Sequence, residues 1–312
     1  MRVLVAGATG AIGRPLVPLL VEAGHEVTGT TRSDAKAQAI REAGAEAAVL
    51  DVTNLDALRR EVHRARPDVV INQLTALPES LDFRDRDALA ATDRLRREVG
   101  PVLAQVAADA GAGRLIAQSV AFFYAASGED LKSEDDPLME PPPESPFVDA
   151  VAALTALERS ALGTTGIEGL VLRFGYFYGP GTYYAADGST AEQVRRRRFP
   201  VVGDGGGVFS FIHVDDAAAA TVAALDRGSR GIYNVADDDP APLRDWLPAY
   251  AEGLGAKSPR RVPAWLARLI AGKEAAAMAM QLRGASNAKA KRELGWQPRY
   301  PSWRRGFREA LG

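Results

Sequence analysis

The N-terminal stretch MRVLVAGATGAIGRPL constrains the fold of this chain more than any other part of the sequence. An apolar run at residues 3–6 leads into Gly7, Gly10 and Gly13, and a helical pattern follows at residues 12–23. Glycine allows a tight turn, a close approach of the backbone to a ligand, and close packing of a helix on a strand. The free N–H groups at a helix N-terminus bind anions. Because the three glycines stand between a strand and a helix, they are predicted to form a pyrophosphate-binding loop.

Strand-like and helical segments continue to alternate through the first 120 residues. Short β-rich runs at residues 26–31, 47–50, 69–72 and 115–119 are separated by helical patterns such as residues 34–43. Strands that are apolar on both faces and alternate with helices form parallel sheets covered on two sides. The sequence therefore predicts an α/β protein with a doubly wound parallel sheet, the Rossmann arrangement.

The second half of the chain changes in character. Its segments become rich in glycine and aromatic residues after residue 175, which predicts a second, smaller C-terminal α/β lobe. We assign residues 1–175 plus 208–231 to a dinucleotide-binding domain and residues 176–207 plus 232–312 to a substrate-side lobe. The acidic, proline-rich segment 127–147 cannot form a helix or a central strand. Its place after the fifth strand predicts a lid-like loop.

The composition excludes several classes of function. With 38 Lys and Arg against 40 Asp and Glu, no global field attracts nucleic acid or an anionic membrane. The chain has no cysteine, and His25, His63 and His213 lack metal-ligand spacing, so we expect no metal site. No apolar run approaches the roughly 20 residues of a membrane span, and because an apolar strand begins at once we expect no signal peptide. We expect a cytoplasmic protein whose partner is a small-molecule substrate, not nucleic acid or membrane.

The end of the second predicted strand, VTGTTRSDAK, bears on which dinucleotide is bound. Here the chain has Thr31, Arg32 and Ser33, with no acidic residue before Asp34. An acidic residue at this place bonds the ribose 2′-hydroxyl of NAD, whereas a cation accommodates the 2′-phosphate of NADP. Arg32 therefore predicts NADP, with NAD possible, and a solvated surface arginine is the alternative interpretation.

Six segments in order resemble motifs of the extended short-chain dehydrogenases/reductases, also called the NAD-dependent epimerase/dehydratase family. They are GATGAIG, VLDVTN, RLIAQSVAFFY, LRFGYFYGPG, FIHVDDAAAA and SNAKAKRELGWQP. The resemblance covers nearly the whole chain and implies the doubly wound fold. It adds further cofactor contacts to the three glycines and Arg32. These are Thr9, Ala11, Ile12, Thr31, Asp51, Val52, Leu74 and Thr75.

The resemblance breaks at the stretch SPFVDAVAALTALERS. Members of the family carry a Y-x-x-x-K pair on this helix, whose tyrosine does acid-base work and whose lysine holds the nicotinamide ribose. The matching residues are Ala150 and Leu154. None of the eight tyrosines is followed by a lysine four residues later, and residues 133–256 contain no lysine. A shift of register therefore does not restore the pair.

Three side chains are candidates to replace the missing chemistry. Ser119 matches the family's serine or threonine after the fifth strand, with a register uncertain by one residue, so Val120 is the other choice. Tyr124 and Tyr176 lie near strand ends, where doubly wound proteins bind ligands. For both tyrosines, ordinary packing is the alternative interpretation.

The resemblance also bears on the substrate. Nucleotide-sugar members of the family usually carry an arginine shortly before the FIHVDD segment, where this chain has Phe209 and Ser210. This departure favours a smaller or more apolar substrate. The tyrosines, Phe209 and Trp265 would suit such a pocket.

Three functions fit these observations. The first is an NADP-dependent oxidoreductase that reduces a small, fairly apolar carbonyl, imine or activated alkene with a non-standard proton donor. The second is a non-catalytic dinucleotide-binding sensor, and the third is an epimerase or dehydratase with a retained cofactor. We favour the first, because the cofactor carries the hydride and the protein need only position the acceptor. A homodimer through residues 88–110 and 148–162 is the assembly that the resemblance implies.

Overall fold

Strands and helices alternate along most of the chain, and the computed structural model describes residues 1–80 and 87–311. The strands are β1 (Arg2–Ala6), β2 (Glu26–Thr31), β3 (Glu46–Val49), β4 (Val69–Asn72), β5 (Arg114–Val120), β6 (Leu131–Lys132), β7 (Glu168–Phe174), β8 (Tyr176–Tyr178), β9 (Val201–Val202), β10 (Val208–Phe209), β11 (Phe211–His213), β12 (Gly231–Val235), β13 (Ala241–Pro242), β14 (Arg261–Val262) and β15 (Gly284–Ala285). The helices are α1 (Gly13–Glu22), α2 (Asp34–Glu42), α3 (Leu55–Ala65), α4 (Ala90–Arg94), α5 (Gly100–Asp109), α6 (Val148–Gly163), α7 (Ser189–Arg195), α8 (Val214–Ala223), α9 (Leu243–Gly253), α10 (Ala264–Ala271), α11 (Lys273–Gln281), α12 (Ala288–Glu293) and α13 (Trp303–Leu311). A π-helical turn, Leu95–Val99, joins α4 to α5.

Seven strands form one parallel sheet in the order β12-β7-β5-β4-β1-β2-β3. Side chains alternate between its two faces, and both faces are buried under helices. Val3 and Val5 pack in one cluster with α1, α2 and α8, whereas Leu4 and Ala6 pack in another with α3, α5 and α6. This arrangement confirms the predicted doubly wound sheet, and it brings the carboxyl ends of all seven strands to one edge.

An aromatic cluster forms the core of the smaller lobe. Its largest fully buried members are Tyr178, Phe211, Trp246, Tyr250 and Trp303. Short strand pairs frame it, with β8 parallel to β11, β9 parallel to β14, and β10 antiparallel to β13. The cluster lies on the side of the sheet where its strands end, since β8 follows β7 after one residue.

The position of β12 changes one boundary between the predicted dinucleotide-binding domain and the predicted substrate-side lobe. Gly231–Val235 pairs with β7 in the central sheet, although residues from 232 onward were assigned to the smaller lobe. Ala290 and Leu294 of the following C-terminal segment pack in the same cluster as Tyr233. β12 is an edge strand that carries polar Tyr233 and Asn234 and starts at a glycine, so it lacks the apolar run of a central strand. The boundary therefore has to move beyond this strand.

Residues 127–147 form a loop anchored over the strand ends. Within it, β6 pairs with β15, and Lys132 is 3% exposed with its Nζ donating to the carbonyl oxygen of Ser127. A carboxylate oxygen of Glu134 accepts a hydrogen bond from the backbone N–H of Asn234 at 2.7 Å. The segment is a loop as predicted, but these contacts fasten it to the sheet.

Candidate active site

Three glycines shape the loop between β1 and α1, each for its own reason. Gly7 has a φ of +92°, and a Cβ there would stand 2.7 Å from the backbone oxygen of Gln73. A Cβ on Gly13 would stand 2.5 Å from the backbone carbonyl of Ala8, so only glycine lets α1 approach the loop. A Cβ on Gly10 would meet only the Gly7 oxygen, at 3.4 Å, and Gly10 is exposed. The space beside Gly10 is therefore open to a ligand.

The first turn of α1 faces the same space. Ile12 precedes the helix and gives no side-chain hydrogen bond to its first N–H groups. The N–H of Arg14 donates to the carbonyl oxygen of Gly10 at 3.1 Å and Pro15 has no N–H, so the N–H groups of Ile12 and Gly13 are the ones from which no described residue accepts a hydrogen bond. They carry partial positive charge and remain available to an anion. Thr9 and Ala11 flank Gly10, and the Thr9 hydroxyl lies 3.4 Å from that of Thr31. The open cradle and the free donors fit the pyrophosphate of a dinucleotide.

Gln73, which sequence reasoning missed, extends this surface. Both polar atoms of its side-chain amide are buried and have no hydrogen-bond partner among the described residues. The backbone carbonyl of Gln73 lies against Gly7. Buried polar groups are normally paired, so the orphaned amide of this residue marks a place for a ligand or a water. Leu74 and Thr75, two predicted cofactor contacts, follow at once and are half-buried. A single glutamine after an apolar strand has no periodicity that could have identified it.

The ends of β2 and β3 form the far side of the cradle. Arg32 directly follows β2, is exposed, and has no ion pair within the described chain. Asp51 lies close by after β3, and hydrogen bonds from Thr53, aided by the charge of Arg32, lower the pKa of its carboxyl. Val52 is buried. A guanidinium that is exposed and unpaired at this strand end can reach a bound phosphate.

The positions expected to carry the tyrosine and lysine are filled by hydrocarbon. Ala150 is 0% exposed and Leu154 is 1% exposed. Both pack in one apolar cluster with Val120, Phe123 and Phe147. Val120, the other choice of register for Ser119, therefore packs against this helix, and its hydrocarbon side chain cannot donate a proton.

Ser119 is hydrogen-bonded to the buried ion pair that Glu158 forms with Arg173. Its hydroxyl donates to a carboxylate oxygen of Glu158 at 2.6 Å. Arg173 donates to both oxygens of the same carboxylate, at 2.8 and 2.6 Å. Although burial alone lowers the pKa of Arg173, the hydrogen bonds and charge of Glu158 outweigh it and raise that pKa. These contacts account for Ser119 as a structural residue, and its predicted catalytic role stays a prediction.

Tyr124 continues the same network. Its hydroxyl donates to the side-chain oxygen of Asn234 at 2.7 Å and accepts a hydrogen bond from Arg173 at 3.0 Å. Burial raises the pKa of the phenol, partly opposed by the charge of Arg173. The hydroxyl proton of Tyr124 is used in the hydrogen bond to Asn234. Through its two hydrogen bonds the side chain links the carboxyl ends of β5, β7 and β12.

Tyr176 stands in a different environment. Its ring stacks on Phe122 with centroids 4.3 Å apart and lies 5.0 Å from Phe209. Its hydroxyl is buried with no hydrogen-bond partner in the described residues, and burial raises its pKa. Phe122 also packs against the Ala150 and Leu154 cluster, so the aromatic wall and the apolar face of α6 adjoin.

Two other side chains singled out in the sequence have structural positions. Trp265 is 63% exposed on α10 and does not belong to the aromatic cluster, so the expectation that it lines the pocket is wrong. The outward face of that helix is itself apolar, which the sequence pattern could not distinguish from a buried one. His213 caps α8, with its Nδ1 accepting a hydrogen bond from the backbone N–H of Asp215 at 3.2 Å.

Two further observations concern residues 1–80 and 87–311. No group of three or more His, Asp or Glu side chains in these ranges is placed to hold a metal ion. None of the helices found there combines the length and apolar character needed to cross a bilayer.

Comparison with known proteins gives four informative likenesses. Residues 3–236 match the model of the NAD dependent epimerase/dehydratase family. The chain is 45% identical over 308 residues to a Streptomyces protein named 3-diazoavenalumate denitrifying reductase, covering 98% of this chain and 99% of that protein. It is 27% identical to a Stigmatella aurantiaca protein named 4-hydroxy-2-methyl-3-oxo-4-farnesyl-3,4-dihydroquinoline-1-oxide ketoreductase, over 83% of this chain and 75% of that protein. Among solved structures, the Thermus thermophilus UDP-glucose 4-epimerase in complex with NAD matches with a TM-score of 0.73 and 25% identity, over 100% of this chain and 98% of that chain.

Proposed function

The chain belongs to the NAD-dependent epimerase/dehydratase family and is an NAD(P)-dependent oxidoreductase, and we propose that it reduces a small aromatic diazo compound with NADPH. In this reaction a hydride adds to the ring carbon that bears the diazonium group, and it replaces that group. A C–H bond forms, the C–N bond breaks with its electron pair leaving on nitrogen, and dinitrogen departs. The products are the arene, dinitrogen and NADP⁺, and no proton is consumed or released.

The apolar face of α6 is the observation that carries this proposal. Reduction of a carbonyl creates an alkoxide that must receive a proton. Displacement of dinitrogen by hydride creates no such anion. A site in which Ala150, Leu154 and Val120 are packed in hydrocarbon therefore suits the second reaction better than the first. The 45% identity to a denitrifying reductase points the same way.

The surrounding residues would bind and protect such a substrate. Phe122, Tyr176 and Phe209 present ring faces and edges on which an aromatic ring can stack. The neighbouring cluster keeps polar groups away from the diazonium carbon. This matters because water competes with hydride for that carbon, so exclusion of water favours reduction.

The cofactor would lie in the cradle described above, where it would supply the hydride. Gly10 and the start of α1 would receive its pyrophosphate, and Gln73 would offer its unpaired amide. Arg32, exposed and without an ion pair in the described residues, supports NADP over NAD because it can bind a 2′-phosphate.

A second candidate is the reduction of a small, fairly apolar carbonyl, imine or activated alkene. Its support is the likeness to a named ketoreductase and the unpaired hydroxyl of Tyr176. That phenol would be its non-standard proton donor. Epimerisation or dehydration has no support beyond the fold and the family.

The test follows the hydride and the nitrogen. The purified protein is incubated with an aryl diazonium salt and NADPH that is deuterated at the transferred position. Parallel reactions contain ketones, imines or enones in place of the diazonium salt. We expect deuterium at the carbon that carried nitrogen and one dinitrogen released for each NADPH oxidised. NADPH oxidation only with the ketone, imine or enone panel would refute the proposal.

Tyr176→Phe separates the two candidates. The variant should reduce the diazonium salt at the wild-type rate, because that reaction needs no phenol. If a carbonyl is the substrate and Tyr176 the donor, the variant should lose about 100-fold or more in turnover.

A further inference from the structure

A buried arginine lies beside the apolar face of α6. Arg96 sits in the π-helical turn and is 7% exposed. Its only ion pair within the described residues is with Asp93, at 3.6 Å, and no described residue accepts a hydrogen bond from it. The Oδ1 atom of Asp93 is likewise buried without a hydrogen-bond partner in the described chain. A guanidinium carries five N–H donors, so most of the hydrogen-bonding capacity of the Arg96 and Asp93 pair is unused.

Two neighbouring contacts pack the segment around Arg96 against α6. Arg97 donates to Asp149 at 3.2 Å, near the start of that helix. A Cβ on Gly100 would stand 2.7 Å from the Cδ1 atom of Leu157, two turns further along. Arg96 stands in the same π-helical turn as Arg97, and the charge of Glu158, one helical turn beyond Leu154, acts on its guanidinium.

The turn is also close to the carboxyl ends of the strands. The Thr92 hydroxyl accepts a hydrogen bond from the backbone N–H of Ala76, just after β4, at 3.0 Å. Ligands of doubly wound proteins bind at this edge of the sheet. Single π-helical turns are rare and occur frequently at functional sites.

The electrostatics agree with an incomplete site. Burial lowers the pKa of Arg96 to about 10, against the opposing charges of Asp93 and Glu158. Burial also raises the pKa of Asp93. Both groups have lost hydration that their mutual contact at 3.6 Å does not replace. A bound anion would supply the missing partner.

We propose that Arg96 binds an anionic oxygen of the substrate, a carboxylate or a phenolate, and thereby orients the substrate against the apolar face of α6. This inference rests on the proposed function, since it concerns the substrate of that oxidoreductase. The phosphates of the cofactor belong at Gly10 and the start of α1, on the far side of β4. An anion at Arg96 is therefore assigned to the substrate. Arginine suits this role because its planar fork matches a carboxylate.

Binding of unreactive probes tests the proposal without turnover. Calorimetry on the NADP⁺-bound protein compares trans-cinnamate with cinnamamide, and para-nitrophenolate with para-nitroanisole. We expect the wild-type protein to bind at least one anion about 10-fold or more tightly than its neutral counterpart, as a charge-assisted hydrogen bond requires. Equal affinities for both pairs in the wild-type protein would overturn the proposal, whatever any variant does.

Variants then locate the effect. Arg96→Gln should abolish the preference for the anion, and Arg96→Lys should retain part of it. Arg97→Gln removes an exposed arginine from the same turn and should change nothing, which makes it the matched control. Loss of NADP⁺ affinity in Arg96→Gln with an intact anion preference would assign the arginine to the cofactor instead and overturn the proposal. Absence of diazonium turnover alongside an Arg96-dependent preference would refute the proposed function and leave this site standing.

Discussion

The two ends of the candidate site differ in how much space and hydrogen-bonding capacity they leave for a ligand. At β1 and α1 the chain leaves space and donors unused: Gly10 faces open volume and Gln73 has an unpaired amide. At β5 and α6 the chain fills the site, with Ala150 and Leu154 in hydrocarbon and Ser119 bound to Glu158. The difference teaches that a cradle can be formed by backbone geometry, which comes with the fold, whereas the proton transfer expected of the family needs two particular side chains, and Ala150 and Leu154 stand at their places.

The largest expected effect tests whether the β5 and α6 end is structural. Glu158→Ala leaves Arg173, whose side chain is 5% exposed, as an unpaired buried charge. We expect the free energy of unfolding to fall by about 3–5 kcal/mol, measured by urea denaturation. Glu192→Ala removes an exposed pair with Arg196 and should cost less than about 1 kcal/mol. Equal losses in the two variants would mean that the buried pair is not what holds this end together.

Gly10→Ala tests whether the β1 and α1 end is a ligand cradle. The added methyl group has room in the protein but would occupy the approach of a pyrophosphate. We expect NADPH to bind about 100-fold more weakly, or about 2.7 kcal/mol, at unchanged thermal stability. Gly163→Ala, at a position with nothing within 4 Å, is the control and should bind NADPH normally. Unchanged affinity in Gly10→Ala would place the cofactor elsewhere.

Arg32→Asp sharpens the assignment of that cradle to NADP. Loss of a charge-assisted bond to the 2′-phosphate should weaken NADPH binding by roughly 10- to 100-fold while NADH binding changes little. Dissociation constants from cofactor fluorescence measure both. Arg41→Asp makes the same charge change at an exposed position of α2 and should affect neither cofactor. Equal weakening of NADPH and NADH by Arg32→Asp contradicts the assignment.

The smallest expected effect is the response of turnover to pH. Burial raises the pKa of both Tyr124 and Tyr176, so each phenol keeps its proton from about pH 6 to 9, below even the ordinary tyrosine value. Reduction of a diazonium carbon should then vary by less than about 2-fold across that window, measured under saturating cofactor. An apparent pKa in this window that disappears in Tyr176→Phe or Tyr124→Phe would restore a tyrosine proton donor.

Much of the sheet was predictable, because its signals are local. Residues 26–31 and 69–72 were placed without error, since β-branched and apolar residues run between clear breaks. The roles of Gly7 and Gly13 also followed from spacing alone. β12 was assigned to the smaller lobe, because an edge strand containing Asn234 carries a weaker apolar signal.

The side-chain partners were not predictable, because they depend on residues far apart in the chain. The Ser119 and Glu158 hydrogen bond joins residues 39 positions apart, and Tyr124 and Asn234 are 110 positions apart. Arg96 stands in the run LRREV, which is typical of a solvated helix face, and only the packing of the π-helical turn against α6 buries it.

The chain of bonds from Glu158 through Arg173, Tyr124 and Asn234 to Glu134 has a consequence for motion. It fastens the anchored loop to α6 through the carboxyl ends of three strands. Because Glu134 of the loop is one end of this buried hydrogen-bond network, the loop cannot move away from the strand ends without disturbing the other residues of the network. In hydrogen exchange, the amide protons of this loop and of the neighbouring strand ends should open together, as one cooperative unit.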